Sequence, residues 1–269
     1  MNIFDTHSHY NLEPLAQDWQ NLALQAQAAG VKQSVIIGTN IASSLVAANM
    51  REKMKDFFLA TVGIHPEEVK KTKSELAALA RLDLEQFIAY GEIGLDFYRC
   101  DRQAANFATL VAAQIHLLQE QLKIALAKPK PVIFHVRDDF VNADKDDNAY
   151  GLILKIVAQS GVVELPLIFH CFSGDANYLQ KILQLPNSYI SFAGNLTFKN
   201  ARNLQALANL VPPERLLLET DAPFLAPEPK RGGTCQPAFI AHTAQFAAQH
   251  LSVSIEQIYA NSCRVFNQS

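Results

Sequence analysis

Short apolar runs rich in β-branched residues alternate along the chain with longer segments whose apolar positions recur at helical spacing. The short runs cover residues 3–5, 34–38, 58–64, 88–93, 132–136, 167–170, 189–192 and 216–220. Several are continuously apolar, as expected of strands covered on both faces in a parallel sheet. Between them, 19–29, 75–84, 114–127 and 178–185 read as amphipathic helices. Eight strand and helix pairs in about 250 residues are the arithmetic of an α/β chain wound as a (β/α)8 TIM barrel. Two more helices are expected at the end. One, over 236–250, places Phe239, Thr243 and Phe246 on one face, and Ser254 with Gln257 makes a capping box for the other.

Composition supports one large folded unit over 1–269. Hydrophobic residues make up 49% of the 269, enough for a sizeable core, and no linker, repeat or low-complexity tract divides them. The polar stretch 142–148 reads as a solvated loop after the fifth strand. Lys and Arg total 23 against 26 Asp and Glu, net −3, so no global positive field recruits a polyanion. Cys100, Cys171, Cys235 and Cys263 form no C-x-x-C pair, which argues against a disulfide framework and a zinc knuckle. With no signal-like or membrane-length apolar run, a cytoplasmic address with no membrane partner is expected.

The unusual residues fall at the strand ends. In FDTHSH (4–9), successive side chains alternate, so His7 and His9 share a face and can bite one metal ion. Strand four ends at Glu92 in GEIGLDF, strand five at His135 in PVIFHVR and strand six at His170 in LPLIFHCFSG. Strand eight, LLLETDAPF, carries Glu219 and Asp221 on one face. Any one of these could be a satisfied buried polar residue. Together, six candidate ligands from five strands, two from strand one and one each from strands four, five, six and eight, lie at C-terminal ends, where barrel active sites are built. That exceeds the need of one tetrahedral ion and includes carboxylates able to bridge, so two divalent ions are expected. Imidazole and carboxylate without thiolate suit zinc, manganese, nickel or ferrous iron, with magnesium less natural. Two such ions about 4 Å apart serve hydrolysis.

These motifs, with VGIHPEE (62–68), KPVIFHVRD (130–138), ISFAGNLTFKN (190–200) and LLLETDAPFLAP (216–227), resemble those of the TatD family of metal-dependent deoxyribonucleases, within the amidohydrolase-like barrels. The resemblance covers essentially the whole chain. It implies a (β/α)8 barrel that cuts DNA phosphodiesters with bound divalent metal. His7, His9 and Asp221 would then bind one ion, Glu92 would bridge, and His135 with His170 would bind the other. His65, from the GIHP motif, would contact substrate phosphate or water.

Further roles follow from position. Asp221 is the choice for orienting or deprotonating the nucleophilic water, with Glu92 beside it in the catalytic set. Asp96 and Glu219 are placed to hold ligands or the Arg99 guanidinium. Arg99, Arg137, Lys230 and Arg231 are candidate phosphate grips, and Phe97, Tyr98 and Phe172 could stack on an unpaired base. The chain departs from the family at Tyr10 and Asn11, where Leu-Asp is usual, and at Cys235 and Gln236, where Asn-Glu is usual. The expected activity is 3′-to-5′ exonuclease action on single-stranded DNA by a monomer. The alternative is ester cleavage of D-aminoacyl-tRNA at the same site.

Overall fold

The computed structural model describes residues 1–98, 100–138 and 147–267. Eight parallel strands stand in sequence order: β1 (Ile3–Ser8), β2 (Val31–Ile36), β3 (Phe58–Val62), β4 (Ala89–Asp96), β5 (Val132–Arg137), β6 (Leu167–Phe169), β7 (Ser188–Phe192) and β8 (Leu216–Leu218). The ring closes through a parallel bridge from Ser8 to Ala222 and through Asp221 N–H to His7 O at 2.9 Å. Thr220 ties this seam to the buried Asp5, its backbone N–H and hydroxyl both bonding the carboxylate at 2.9 and 2.7 Å.

Around the strands run α1 (Trp19–Ala28), α2 (Ile41–Lys53), α3 (Thr72–Leu79), α4 (Phe107–Ala127), α5 (Ala149–Ser160), α6 (Ala176–Leu183), α7 (Arg202–Ala208), α8 (Ile240–His250) and α9 (Ile255–Val265). This is the expected (β/α)8 barrel. Among the described residues no helix is long and apolar enough to cross a membrane. One apolar cluster fills the space between strands and helices, with Leu118 buried in it. A second takes one residue from every strand: Phe4, Val35, Leu59, Ala89, Ile133, Ile168, Tyr189 and Leu217. Phe266, following α9, stacks on Phe4 at 5.7 Å and closes that end.

Several expected bounds shift for local reasons. The 75–84 helix ends at Leu79, because Asp83 accepts the Glu85 N–H at 3.0 Å and starts a separate turn. The helix expected from 114 begins at Phe107, in a first turn that is largely uncovered. The final pair is present, but Ser254 supplies only half a capping box: it accepts the Gln257 N–H at 3.1 Å, while the Gln257 amide turns forward to Asn261. Of the polar stretch 142–148, residues 142–146 lie outside the described residues. Asn148 is not a loop residue but the buried cap of α5, accepting the Gly151 N–H at 2.9 Å.

Candidate metal centre

The mouth of the barrel is polar where its floor is apolar. On β5, β6 and β8, strict alternation puts His135, His170 and Glu219 two residues beyond the floor residues Ile133, Ile168 and Leu217. On β1 and β4 the polar residues stand three beyond: His7 after Phe4, and Glu92 after Ala89. In both strands the pairing register slips between floor and mouth, between Asp5 and Ser8 and between Tyr90 and Ile93. The slip turns one extra residue inward. Gly94 lets β4 pass β5 closely, since a Cβ there would sit 1.9 Å from His135 O.

Six side chains meet here in two groups sharing one carboxylate. His7 Nε2 and His9 Nε2 lie 3.2 Å apart. They face Asp221 Oδ1 at 3.7 and 3.4 Å and Glu92 Oε1 at 3.9 and 3.6 Å. In the second group Glu92 Oε2 is 3.0 Å from both His135 Nδ1 and His170 Nε2, themselves 3.2 Å apart. Four donors at about 2.1 Å from one ion would stand about 3.4 Å from each other in a tetrahedron. The observed spacings match that, so nitrogen and oxygen donors here fit divalent metal. The rings of His7 and His170 stack at 3.8 Å, joining the groups. His7, His9, Glu92 and His170 are buried, whereas the side chains of Asp221 and His135 are 13% and 14% exposed. Each group therefore opens to solvent through one member.

A second layer aims the rings. His135 Nε2 lies 3.0 Å from Asp96 Oδ2, and Asp96 Oδ1 accepts the Tyr98 N–H at 2.8 Å. Glu219 Oε1 faces His170 Nδ1 at 3.2 Å and accepts the Cys171 N–H at 2.8 Å. These carboxylates fix which nitrogen of each ring is turned to Glu92. Among the described residues, His7 Nδ1 and His9 Nδ1 are buried with no hydrogen-bond partner, so no described group aims those rings.

Electrostatics point the same way. Burial pushes the Glu92 carboxyl up, but hydrogen bonds and charge from His135 and His170 prevail and hold it well below the usual carboxylate range. Burial likewise opposes the His170 cation, yet Glu219 and Glu92 raise it well above an ordinary histidine. His135 is raised in the same way by Asp96 and Glu92. The second group thus favours positive charge. His7 is the reverse, driven well down by burial and by the charge of His170.

The outer residues divide. His65 follows β3, its ring edge-on to His135 at 4.3 Å, and its Nδ1 accepts the Glu67 N–H at 3.2 Å. Burial, then His135, lowers it to about 3. Its donor atom joins those of Glu92 and His135 within 4.8 Å. Arg137 is exposed, its guanidinium 4.0 Å over the Tyr98 ring. Arg231 lies 4.1 Å over Phe198, and Lys230 lies 5.5 Å from the Phe239 ring centre. Arg99 lies outside the described residues. Phe97 and Phe172 are buried in the core and present no face to a ligand, a correction to their expected stacking role; Tyr98 is exposed. Phe224, which the pattern gave no reason to single out, stands edge-on to His9 at 6.1 Å.

A family model described as TatD related DNase matches residues 4–267. The chain belongs to the TatD family. Among its relatives is YabD of Bacillus subtilis, described as an uncharacterized metal-dependent hydrolase, 32% identical over 95% of this chain and 94% of that one. YcfH of Escherichia coli K12, described in the same words, is 33% identical over 96% and 91%. The crystal structure of YjjV, a TatD homologue of Escherichia coli K12, superposes with a TM-score of 0.82 at 25% identity, covering 99% and 98%. This TatD chain is thus a metal-dependent hydrolase, and the histidine and carboxylate groups at its mouth suit divalent metal.

Proposed function

We propose that the chain hydrolyses phosphodiester bonds of single-stranded DNA as a 3′-to-5′ exonuclease, with two divalent ions. His7, His9, Asp221 and Glu92 Oε1 would hold one ion, and Glu92 Oε2, His135 and His170 the other. The observation that carries this reading is the division of Glu92, each oxygen facing a different set of donors. Bound ions would polarise a phosphoryl oxygen and make a water acidic enough to attack near neutral pH.

The chain's own residues do the rest. Asp221, the partly exposed carboxylate, takes the proton of the attacking water at the oxygen not turned to His7 and His9. Asp96 and Glu219 keep His135 and His170 from rotating. His65, neutral and with Nδ1 occupied, presents Nε2–H to a phosphate oxygen or water. Arg137, Lys230 and Arg231 offer charge to the strand's phosphates. With net charge −3, such contacts are few and local, so binding weakens steeply with salt.

The test is metal-loaded protein on a single strand labelled at either end, with Glu92→Ala as control. A one-nucleotide ladder receding from the 3′ end, absent in the variant, is expected. No cleavage with manganese, magnesium, zinc or nickel would contradict the reading and make D-aminoacyl-tRNA the next substrate to try.

A further inference from the structure

We propose that Phe224 is a stacking platform for the unpaired nucleobase beside the bond being cut, an inference that rests on the single-strand nuclease reading above. Among the described residues, the two large aromatic side chains left exposed are Tyr98, at 39%, and Phe224, at 52%. An exposed leucine is ordinary, but an aromatic face in water forgoes a large burial gain. Both stand at the mouth, on opposite halves of the centre. Tyr98 follows Asp96, which holds His135, and its ring lies under Arg137. Phe224 belongs to the other half: its N–H bonds Asp221 O at 2.8 Å, and its ring partner is His9, met edge-on at 73°.

The backbone around Phe224 is held so that the ring cannot sink. Asp221 and Leu225 both take the left-handed region, each at φ 53°, where residues other than glycine are uncommon. Their neighbours Ala222 and Ala226 are buried. Gly194 packs against this turn so closely that a Cβ there would lie 2.1 Å from Leu225 O. The Cys235 N–H fixes Pro223 O at 3.0 Å. A turn strained at two positions and anchored on both sides leaves one flat apolar face in solvent, next to His9 and Asp221. Such strain persists only where surrounding packing enforces it, and it gathers at ligand clamps. The flat apolar group nearest a phosphate in a single strand is its base, and stacking accepts every base.

The experiment compares wild type, Phe224→Ala, Phe224→Leu and Phe224→Trp on single strands with normal or abasic nucleotides at each of the last two 3′ positions. Removing the ring should raise KM roughly ten-fold or more on normal strands. Leucine, with bulk but no flat face, should fail similarly, and tryptophan should restore binding. An abasic end should cost wild type a comparable factor and Phe224→Ala nothing further. A terminal 2-aminopurine should be quenched on binding to wild type and to Phe224→Trp but not to Phe224→Ala, and metal content should be equal in all four proteins. If Phe224→Ala and Phe224→Leu match wild type on normal strands, or lose as much on abasic ones, the platform is refuted while the nuclease reading stands. If wild type neither cleaves nor quenches any strand, both fall.

Discussion

One oxygen of Glu219 receives two bonds, from the His170 ring at 3.2 Å and from the Cys171 backbone at 2.8 Å. A carboxyl oxygen that already accepts a backbone N–H meets the ring as an acceptor too. His170 Nδ1 is therefore the donor, and Nε2 is the atom left to Glu92 and a cation. Glu219→Gln keeps the shape and removes the charge. It should weaken the His135/His170 ion by about 10- to 100-fold, leaving the His7/His9 ion in place. Metal titration followed by calorimetry would show one of two binding steps shifted; two unshifted steps would deny Glu219 this role.

The metal-free chain should lose stability as pH rises from 6.5 to 8. His135 and His170 have raised folded values, so their contribution is complete below the ordinary 6.5 and is lost as pH climbs through the folded values. Asp5 acts in the same direction: burial raises it from 3.8 to about 8, so over this interval the folded chain still binds a proton that the unfolded chain has released. His7 and His65, both lowered, work oppositely but only below 6.5. Metal reverses the trend, since it competes with the protons on His135 and His170. Thermal melts of chelator-treated protein should fall between pH 6.5 and 8, with the gain on metal addition widening. A flat or rising metal-free profile would contradict the proton assignment.

Asp221→Asn separates holding an ion from moving a proton. An amide oxygen can still face His7 and His9, but it cannot take a proton near neutral pH. Activity should fall by at least about 100-fold with the fold intact. Near-normal turnover would place the proton acceptor elsewhere.

Barrel strands point their C-terminal ends at one mouth, which makes five of the six side chains that meet there legible: His7 and His135 lie in the last three residues of a strand and His9, His170 and Asp221 just past one, whereas Glu92 stands at the middle of β4, which runs on to Asp96 instead of ending there. The local alternation that put His7 with His9 also held. The offset between floor and mouth was not legible: the register slips on β1 and β4 depend on how β2 and β5 pair with them, which neighbouring residues do not encode. For the same reason β6 stops at Phe169 and β8 at Leu218, although His170 and Glu219 keep single backbone bonds to Phe134 O and Phe192 O. The start of α4 is not legible because Phe107 and Val111 are only partly buried against the core, and no residue of the helix before Gln114 is fully buried to carry a periodic signal. Phe224 is not legible in the sequence because exposure is a tertiary property; the motif shows a phenylalanine, not which way it faces.

The half-formed cap before α9 offers a control remote from the metal centre. Ser254→Ala removes the bond to the Gln257 N–H, worth about 1 kcal/mol, which should lower Tm by about 2–4 °C. Metal content and turnover should not change. An altered metal content would mean that α9 communicates with the mouth.

The central claim is that Glu92 divides its carboxylate between two ions. An anomalous difference map from crystals grown with manganese or zinc tests it most directly. Two peaks are expected, one among His7, His9, Asp221 and Glu92 Oε1, the other among Glu92 Oε2, His135 and His170. A single peak, or two peaks on the same side of Glu92, would contradict the account.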